Sequence, residues 1–373
     1  MKRVSITPRK DWQQKISEHG FLYYDLEGYY TEDCAYEFSL AEIEALEMAS
    51  AKIFDMCLSV VEHVISHELW DEFFIPRQYA ELIKWSWEND KPSFYGRFDL
   101  AYRDGQIKLL EFNADTPTSL LESSVIQWYW LQEFDKTLDQ YNSIHEKLLA
   151  HLRDCKAYLL PGKLYFSCVQ DSVEDKMTVS YLQDVADQAG ISTDFIYIDD
   201  ISLDAKNHFT DPEGTPLRNV FKLYPYEWMM REPFGENLWP ERNECLWIEP
   251  AYKAILSNKM LLKYLYELFP DSPYILPCTF VKPGETPTLQ GDYVLKPVFS
   301  REGANVSIIK DGQLAEQTGG DYGEEGFMCQ RYFALPDFEG NKAVIGSWMI
   351  GGEAAGMGIR ESGGLISGNT SRF

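Results

Sequence analysis

Residues Phe94 to Asn113, FYGRFDLAYRDGQIKLLEFN, carry Arg97, Asp99, Glu111 and Asn113 at alternate positions of two strand-like runs. Side chains two apart in a strand point to one side of the sheet. The turn reads as Arg103-Asp104-Gly105, with Gly105 supplying the left-handed residue of a three-residue loop. That register sets Tyr102 opposite Gln106 and Arg97 opposite Glu111, with Asp99 and Asn113 on the same face. Phe98, Leu100, Tyr102, Leu110 and Phe112 take the other face and can bury. Mg²⁺ is a hard ion, usually held by one or two carboxylates together with substrate phosphates. An arginine beside it offers a planar fork of donors to a transferring phosphoryl group. The same residues also fit a solvated strand face with an Arg97–Glu111 pair, worth roughly 0.2–1 kcal/mol. A two-residue slip in register keeps all four on one face, whereas a one-residue slip splits them.

A second charged constellation lies toward the C-terminus. YVLKPVF (293–299) reads as a strand with Lys296 inside it, and a lysine among apolar residues needs a partner, either a phosphate or a nearby carboxylate. SREGANV follows as a turn and SIIKDG as a second strand; Gly319 to Gly326 reads as a mobile loop. FMCQRYFALP (327–336) is a strand ending in proline, and KAVIGSWMIGGEAAGMGIRES is a hairpin turning at Gly351-Gly352 and leading to Arg360. These strands need a scaffold. Residues 40–88 read as helices from their three- and four-residue apolar spacing. Asn113 to Thr118 is a loop into the helix LLESSVIQWYWLQEF, with Thr118 or Ser119 as N-cap, and another helix covers about 137–154. KLYFSCV, KMTVSYLQDVADQAG and DFIYIDDI form a βαβ pattern that predicts a small parallel sheet, and NVFKLYPYEWM adds a strand entering a loop. Tyr252 to Phe269 reads as one helix carrying Lys259.

Composition narrows the function. The chain has 373 residues, 45% of them hydrophobic, enough for a large core and one to three domains. A net charge of −25 leaves no basic footprint for nucleic acid. The acidity suits a cationic substrate or simply solubility. Seven cysteines, an odd number without CxxC spacing, fit reduced thiols in a cytoplasmic protein. The start MKRVSITPRKDWQQK has no apolar core of a signal peptide, and no run approaches the ~20 apolar residues of a membrane span. His63 and His67 have zinc-like spacing without a third ligand at motif distance. No P-loop, G-x-G-x-x-G or G-x-S-x-G is present, so a nucleotide enzyme here needs another phosphate cradle.

RFD(x11)EFN, NADTPTS, SNK, YVLKPVFSREG, QRYFALP and GIRES occur in this order and resemble the synthetase part of the glutathionylspermidine synthase family, from about residue 20 to the end. The sequence is most similar to its stand-alone bacterial members, described as acid–amine ligases. The resemblance implies an α+β chain with an ATP-grasp fold, a small parallel α/β subdomain at about 155–250 and an antiparallel ATP-binding lid at about 255–335, in one catalytic region spanning 1–373. It implies that Arg97 stabilises the transferring phosphoryl group and that Asp99, Glu111 and Asn113 bind Mg²⁺, as two ions. Lys259 and Lys296 would grip ATP phosphates, Gln330, Arg331, Tyr332 and Phe333 would line the adenine pocket, and Arg360 would contact phosphate. Ser300 to Gly303, including Glu302 and Gly303, would cover the phosphates, and Leu365 joins the ATP-binding set. Thr116 and Thr118 fall where the bifunctional enzymes touch the thiol tripeptide; Glu174 and Asp175 lie near a carboxylate position of the substrate site. The amidase half of those enzymes is absent. The chain stops at SGNTSRF, and the resemblance leaves room for a short tail.

The expected activity is an ATP-dependent carboxylate–amine ligation through an acyl phosphate, joining a peptide or glutathione-like acid to a polyamine or other amino compound. The partners are then small molecules, not nucleic acid or membrane. A catalytically silent ATP-binding protein, or an acidic module binding cations, is the alternative at this stage.

Overall fold

The computed structural model describes residues 1–368 and 371–373. Three larger sheets organise the chain. The first is antiparallel and joins Tyr95–Arg103, Gln106–Asn113, Asn341–Ile350 and Glu353–Ser362, with the short strand Asp337–Phe338. The second is parallel, in the order Leu246–Ile248, Asn219–Leu223, Leu164–Cys168, Thr193–Tyr197. The third is antiparallel, in the order Cys278–Val281, Phe327–Arg331, Tyr293–Pro297, Ser307–Lys310, Gln313–Gln317.

The first sheet lies between two cores. On one side the helix Leu40–Ser66 buries Leu46, Ala49, Ile53, Cys57, Val60 and Val64, the stripe its spacing dictates. Its start is fixed by a capping box between Ser39 and Glu42. Phe98, Leu100 and Phe112 of the sheet join this core, with the Phe98 and Phe112 rings 4.2 Å apart. On the other side Tyr95, Trp348 and Ile350 pack with the parallel sheet and the helices Ile144–Cys155 and Val173–Gln188.

The hairpin that carries the charged residues differs from its expected register in two places. Its turn has two residues, Asp104 and Gly105, both left-handed at φ 52° and 77°, so Arg103 pairs with Gln106. A bulge then intervenes: Leu100 faces Leu109, but Asp99 faces Glu111, leaving Leu110 as the extra residue. Shortening the turn moves the pairing by one residue and the bulge moves it by one more. The sum is the two-residue slip that preserves the face. Arg97 consequently lies opposite Asn113, not Glu111.

Other boundaries also shift. Tyr252 to Phe269 is two helices, Lys253–Leu256 and Met260–Leu268, with Lys259 at the break. The helix expected over 137–154 starts at Ile144. The segment LLESSVIQWYWLQEF opens with a π-turn, Glu122–Ile126, and then continues as Gln127–Phe134. Neither Thr118 nor Ser119 caps it through a side chain; Ser119 is left-handed at φ 67° and its hydroxyl lies 3.2 Å from that of Tyr29. The Gly351-Gly352 turn is as expected, and all seven cysteines are free thiols. His63 and His67 share the end of their helix, where Nδ1 of His67 bonds the His63 carbonyl at 2.9 Å. Among the described residues no three His, Cys, Asp or Glu side chains gather as a metal-binding set. No helix among them is long and apolar enough to cross a membrane.

Two buried lysines hold the ends of the hairpin. Lys222, from the parallel sheet, donates to Asp115 Oδ1 at 2.7 Å and to the Tyr224 carbonyl at 2.8 Å. Asp115 also accepts from the Tyr226 amide at 3.0 Å. Lys253 pairs with Glu249 and donates to the carbonyls of Tyr95 and Ala114, which begin and follow the two strands. Glu249 in turn accepts from the Phe94 amide at 2.8 Å. Removing one partner of such a pair leaves an uncompensated buried charge. Lys222→Ala is therefore expected to cost about 3–5 kcal/mol. Lys222→Met combined with Asp115→Asn is expected to recover most of that loss. Chemical denaturation of the three proteins measures both effects, and a wild-type midpoint for Lys222→Ala would refute them.

Candidate active site

Asp99 and Glu111, paired directly across the strands, are the centre of the polar face. Like charges opposite one another are unfavourable unless cations compensate, and four cationic side chains surround this pair. Arg97 Nε donates to Asp99 Oδ1 at 2.8 Å, and its Nη1 reaches the Thr118 carbonyl and, at 3.4 Å, the Thr118 hydroxyl. Arg360, from the strand Glu353–Ser362, donates to Asp99 Oδ2. Lys259 Nζ lies 3.5 Å from Glu111 Oε2. Lys296 Nζ donates to the Leu110 carbonyl at 3.0 Å and to Gln330 Oε1 at 2.9 Å. Asn113 donates to Glu111 at 3.4 Å. Burial pushes the Asp99 carboxyl up, but Arg360 and Arg97 outweigh it and hold the group below the usual carboxylate range. Glu111 behaves alike, with burial opposed by Lys259.

The bulge connects this cluster to the third sheet. Leu110, the extra residue, offers its carbonyl to Lys296, and Leu109 accepts from Gln330 Nε2 at 3.1 Å. Beyond them a cavity runs between the first and third sheets. Asp99, Glu111, Lys259 and Lys296 line its polar end, and Gln330, Arg331, Tyr332, Phe333, Val294 and Leu365 line the rest. Arg360 Nε is buried without a partner among the described residues. The loop 300–303 closes one side. Glu302 and Gly303 have φ of 57° and 71°, and a Cβ on Gly303 would sit 2.6 Å from the Ser367 carbonyl, so glycine is required there. On the far side the Leu365 and Ile366 amides donate to Glu316 at 2.7 and 3.2 Å.

Thr116 and Thr118 face other groups of the same region. Thr116 Oγ1 accepts from Arg301 at 2.6 Å, and Arg301 also holds Glu227 at 2.9 Å. Glu174 and Asp175 occupy the first turn of the helix Val173–Gln188, capped by Ser172. Burial, with Glu122, Asp175 and Glu302 adding repulsion, pushes the Glu174 carboxyl up to about 8. Burial likewise pushes Asp175 up to about 6. Asp99, Glu111, Lys259, Lys296, Gly303, Gln330 to Phe333 and Leu365 therefore line one cavity, Arg97 and Arg360 pair with Asp99, and Asn113 and Thr116 line the adjoining cleft.

Several participants escaped the sequence reading. Lys222 and Lys253, and the partners Thr116 and Glu227 of Arg301 in the expected loop, act across sequence separations of 74 to 185 residues, which no local pattern reveals. Glu122 had a visible signal: a lone carboxylate between Leu120-Leu121 and Val125-Ile126. It is fully buried, with Tyr29 and Tyr23 donating to Oε1 at 2.7 and 3.0 Å.

The donor set fits Mg²⁺: two adjacent carboxylates and an amide, with cations close by for phosphate oxygens. Comparison with known proteins gives the same direction. A family profile described as glutathionylspermidine synthase preATP-grasp matches residues 3–373. The chain is 38% identical to a "putative acid–amine ligase" of Haemophilus influenzae, covering 100% of this chain and 98% of the other. It is 28% identical to trypanothione synthetase of Crithidia fasciculata, covering 91% of this chain but only 55% of that longer protein. A glutathione synthetase-like effector from Globodera pallida shares the fold at 10% identity, with a TM-score of 0.56 and 97% of each chain covered. The directly paired carboxylates, their ring of cations and a match running through almost every residue agree: the chain belongs to the glutathionylspermidine synthase family.

Proposed function

We propose that the protein is an ATP- and Mg²⁺-dependent carboxylate–amine ligase with an ATP-grasp mode of nucleotide binding, acting as one catalytic region over 1–373. The observation that carries this reading is the directly paired Asp99 and Glu111, ringed by Arg97, Arg360, Lys259 and Lys296 at the mouth of an apolar-walled cavity. A silent binding module has no need to keep two carboxylates side by side.

Asp99, Glu111 and Asn113 would hold the metal, which supplies charge neutralisation between the phosphates when bound. Lys259 and Lys296 would fix phosphate oxygens as point charges. Arg360, whose Nε has no partner among the described residues, would contribute a further donor. Gln330 to Phe333 and Leu365 would enclose the base. Arg97 lies between the metal ligands and the Thr116–Thr118 loop, so it reaches both the phosphoryl group and the acid that receives it. The acid becomes an acyl phosphate, and the amine then displaces phosphate to form the amide. Water must be kept from the acyl phosphate, a task suited to the loops 300–303 and 319–326. The relatives named above are called acid–amine ligase and trypanothione synthetase, in keeping with a thiol-peptide acid and an amine as substrates.

Incubating the protein with Mg-ATP and a matrix of acids and amines, with ADP release followed and any amide identified by mass spectrometry, tests the reading directly. ADP formed only when both an acid and an amine are present is the expected outcome. Arg97→Ala is expected to lower turnover at least about 10²–10³-fold while nucleotide still binds; unimpaired turnover would remove Arg97 from the chemistry. Mg-ATP is expected to slow hydrogen exchange in 300–303 and 319–326 and to raise the melting temperature. Unchanged exchange in both loops would rule them out as a lid.

A further inference from the structure

Two glycines continue the row that begins with the paired carboxylates. Glu111 faces Asp99, Asp99 faces Gly346, and Gly346 faces Gly358, across four neighbouring strands of the first sheet. Directly opposite residues share one face of a sheet, so the face that carries the carboxylates turns bare beside them. Glycine weakens a strand interior and there marks a close approach by something else. Neither Gly346 nor Gly358 has the left-handed backbone that would require glycine for its own sake. The reason lies in what covers them. A Cβ on Gly346 would stand 3.0 Å from Arg97 Cδ and 3.5 Å from Arg97 Nε. A Cβ on Gly358 would stand 2.4 Å from Ser123 Oγ and 2.6 Å from the Phe373 ring. The stem of Arg97 thus crosses one half of the bare strip, and the π-turn Glu122–Ile126 rests on the other. That turn is tied back to the loop by the Ser123 amide, which donates to the Ser119 carbonyl at 3.2 Å. Arg97 is only 4% exposed, with the Trp348 ring 5.9 Å from its guanidinium.

We propose that Gly346 is a positioning residue for the ligation: its missing side chain lets Arg97 lie flat on the sheet, and that course aims the guanidinium between Asp99 and Thr118. The role of Arg97 rests on the ligase reading; what is added is the feature that holds it in place. Both polar contacts of Arg97, to Asp99 Oδ1 at 2.8 Å and to the Thr118 hydroxyl at 3.4 Å, lie beyond Cδ in the side chain. A methyl at 346 presses on Cδ itself and has to displace it by a few tenths of an ångström. The displacement is passed outward to the guanidinium, which has no slack against the buried wall of Trp348. The nucleotide end of the site is insulated from this. Asp99 keeps Arg360, Glu111 keeps Lys259, and Lys296 keeps Gln330 and the Leu110 carbonyl, none of which passes over Gly346. A substitution at 346 therefore separates the aim of one arginine from the grip on phosphates. Misplacing a reacting group by about 1 Å costs about 10²-fold in rate, so a smaller displacement is expected to cost roughly tenfold.

A double-mutant comparison of Gly346→Ala and Arg97→Ala, with the acid–amine pair that yields ADP, reads the coupling. Gly346→Ala is expected to lower kcat about tenfold and to leave KM for Mg-ATP within about twofold of the wild type. Added to Arg97→Ala, the same substitution is expected to change the rate less than about twofold, because the atom it presses on is gone. Full turnover of Gly346→Ala, or an equal loss in both backgrounds, would overturn the proposal; a merely structural role gives the equal loss. The Nε–H signal of Arg97 in isotope-labelled protein, without substrates and assigned by its loss in Arg97→Ala, is the second measurement. It is expected to move in Gly346→Ala, and an unmoved signal refutes the positioning role. Should Gly346→Ala alone fail to fold, the double variant is expected to fold; if it fails too, the obstruction is not Arg97 and the idea is wrong. A wild type that forms no ADP with any acid–amine pair sinks the ligase reading alone, since the Arg97 signal still decides whether Gly346 places it.

Discussion

Two carboxylates, one buried and one half-buried, face each other across adjacent strands, and the surrounding structure is arranged around that repulsion. Asp99 and Glu111 cannot stand together without compensation. The cations that supply it come from four parts of the chain: Arg97 from the hairpin itself, Lys259 from a helix break, Lys296 from the third sheet and Arg360 from the C-terminal hairpin. Each sits far from the others in sequence, so the site exists only when the first sheet, the third sheet and the helix break are assembled. A metal and phosphates brought between these groups would replace some of the cation–carboxylate contacts with stronger ones. The cleft is thus held together by its own charges in a form that a charged ligand can rearrange.

Precision in such a site has to come from the backbone. The bulge at Leu110 does two things at once. It restores the pairing parity that the short Asp104-Gly105 turn upsets, and it frees carbonyls on an edge strand for Lys296 and Gln330. Lys222 and Lys253 complete the frame by fixing Asp115 and the strand ends from the opposite side. Buried ion pairs are seldom a net gain in stability over apolar packing. Here their value lies in direction, since each lysine binds backbone or loop groups within a few residues of Arg97 or Asn113.

The polar face was legible in the sequence because alternation survives errors of two. The turn was read one residue too long and the bulge was not foreseen, yet the two misreadings cancel and the four residues stay together. The Lys259 break was hidden because Leu261, Leu262 and Leu265 continue the helical spacing of Ile255 and Leu256 across it. The parallel sheet was visible from its βαβ rhythm, while its buried Lys222 looked like any strand residue. Nothing in the first 30 residues announced Tyr23 and Tyr29 as partners of Glu122, since contacts spanning 93 to 99 positions leave no periodic trace. What remained unread was mostly of this kind: pairings made by tertiary assembly, not by local pattern.

The two attachments of the third sheet are unequal, and that inequality sets an order of events. Its inner strands are fastened to the bulge by Lys296 and Gln330, through bonds to main-chain carbonyls of the first sheet. Its outer hairpin, Ser307 to Gln317, is tied to the C-terminal segment by the Glu316 carboxylate on two amides. Each of these charge-assisted bonds contributes about 1.5–3 kcal/mol, and they join the outer hairpin to a loop, whereas Lys296 and Gln330 join the inner strands to the first sheet itself. On the proposed reading, the wall that would enclose the base can open at its outer edge while Lys296, which would meet the phosphates, stays fastened to the bulge.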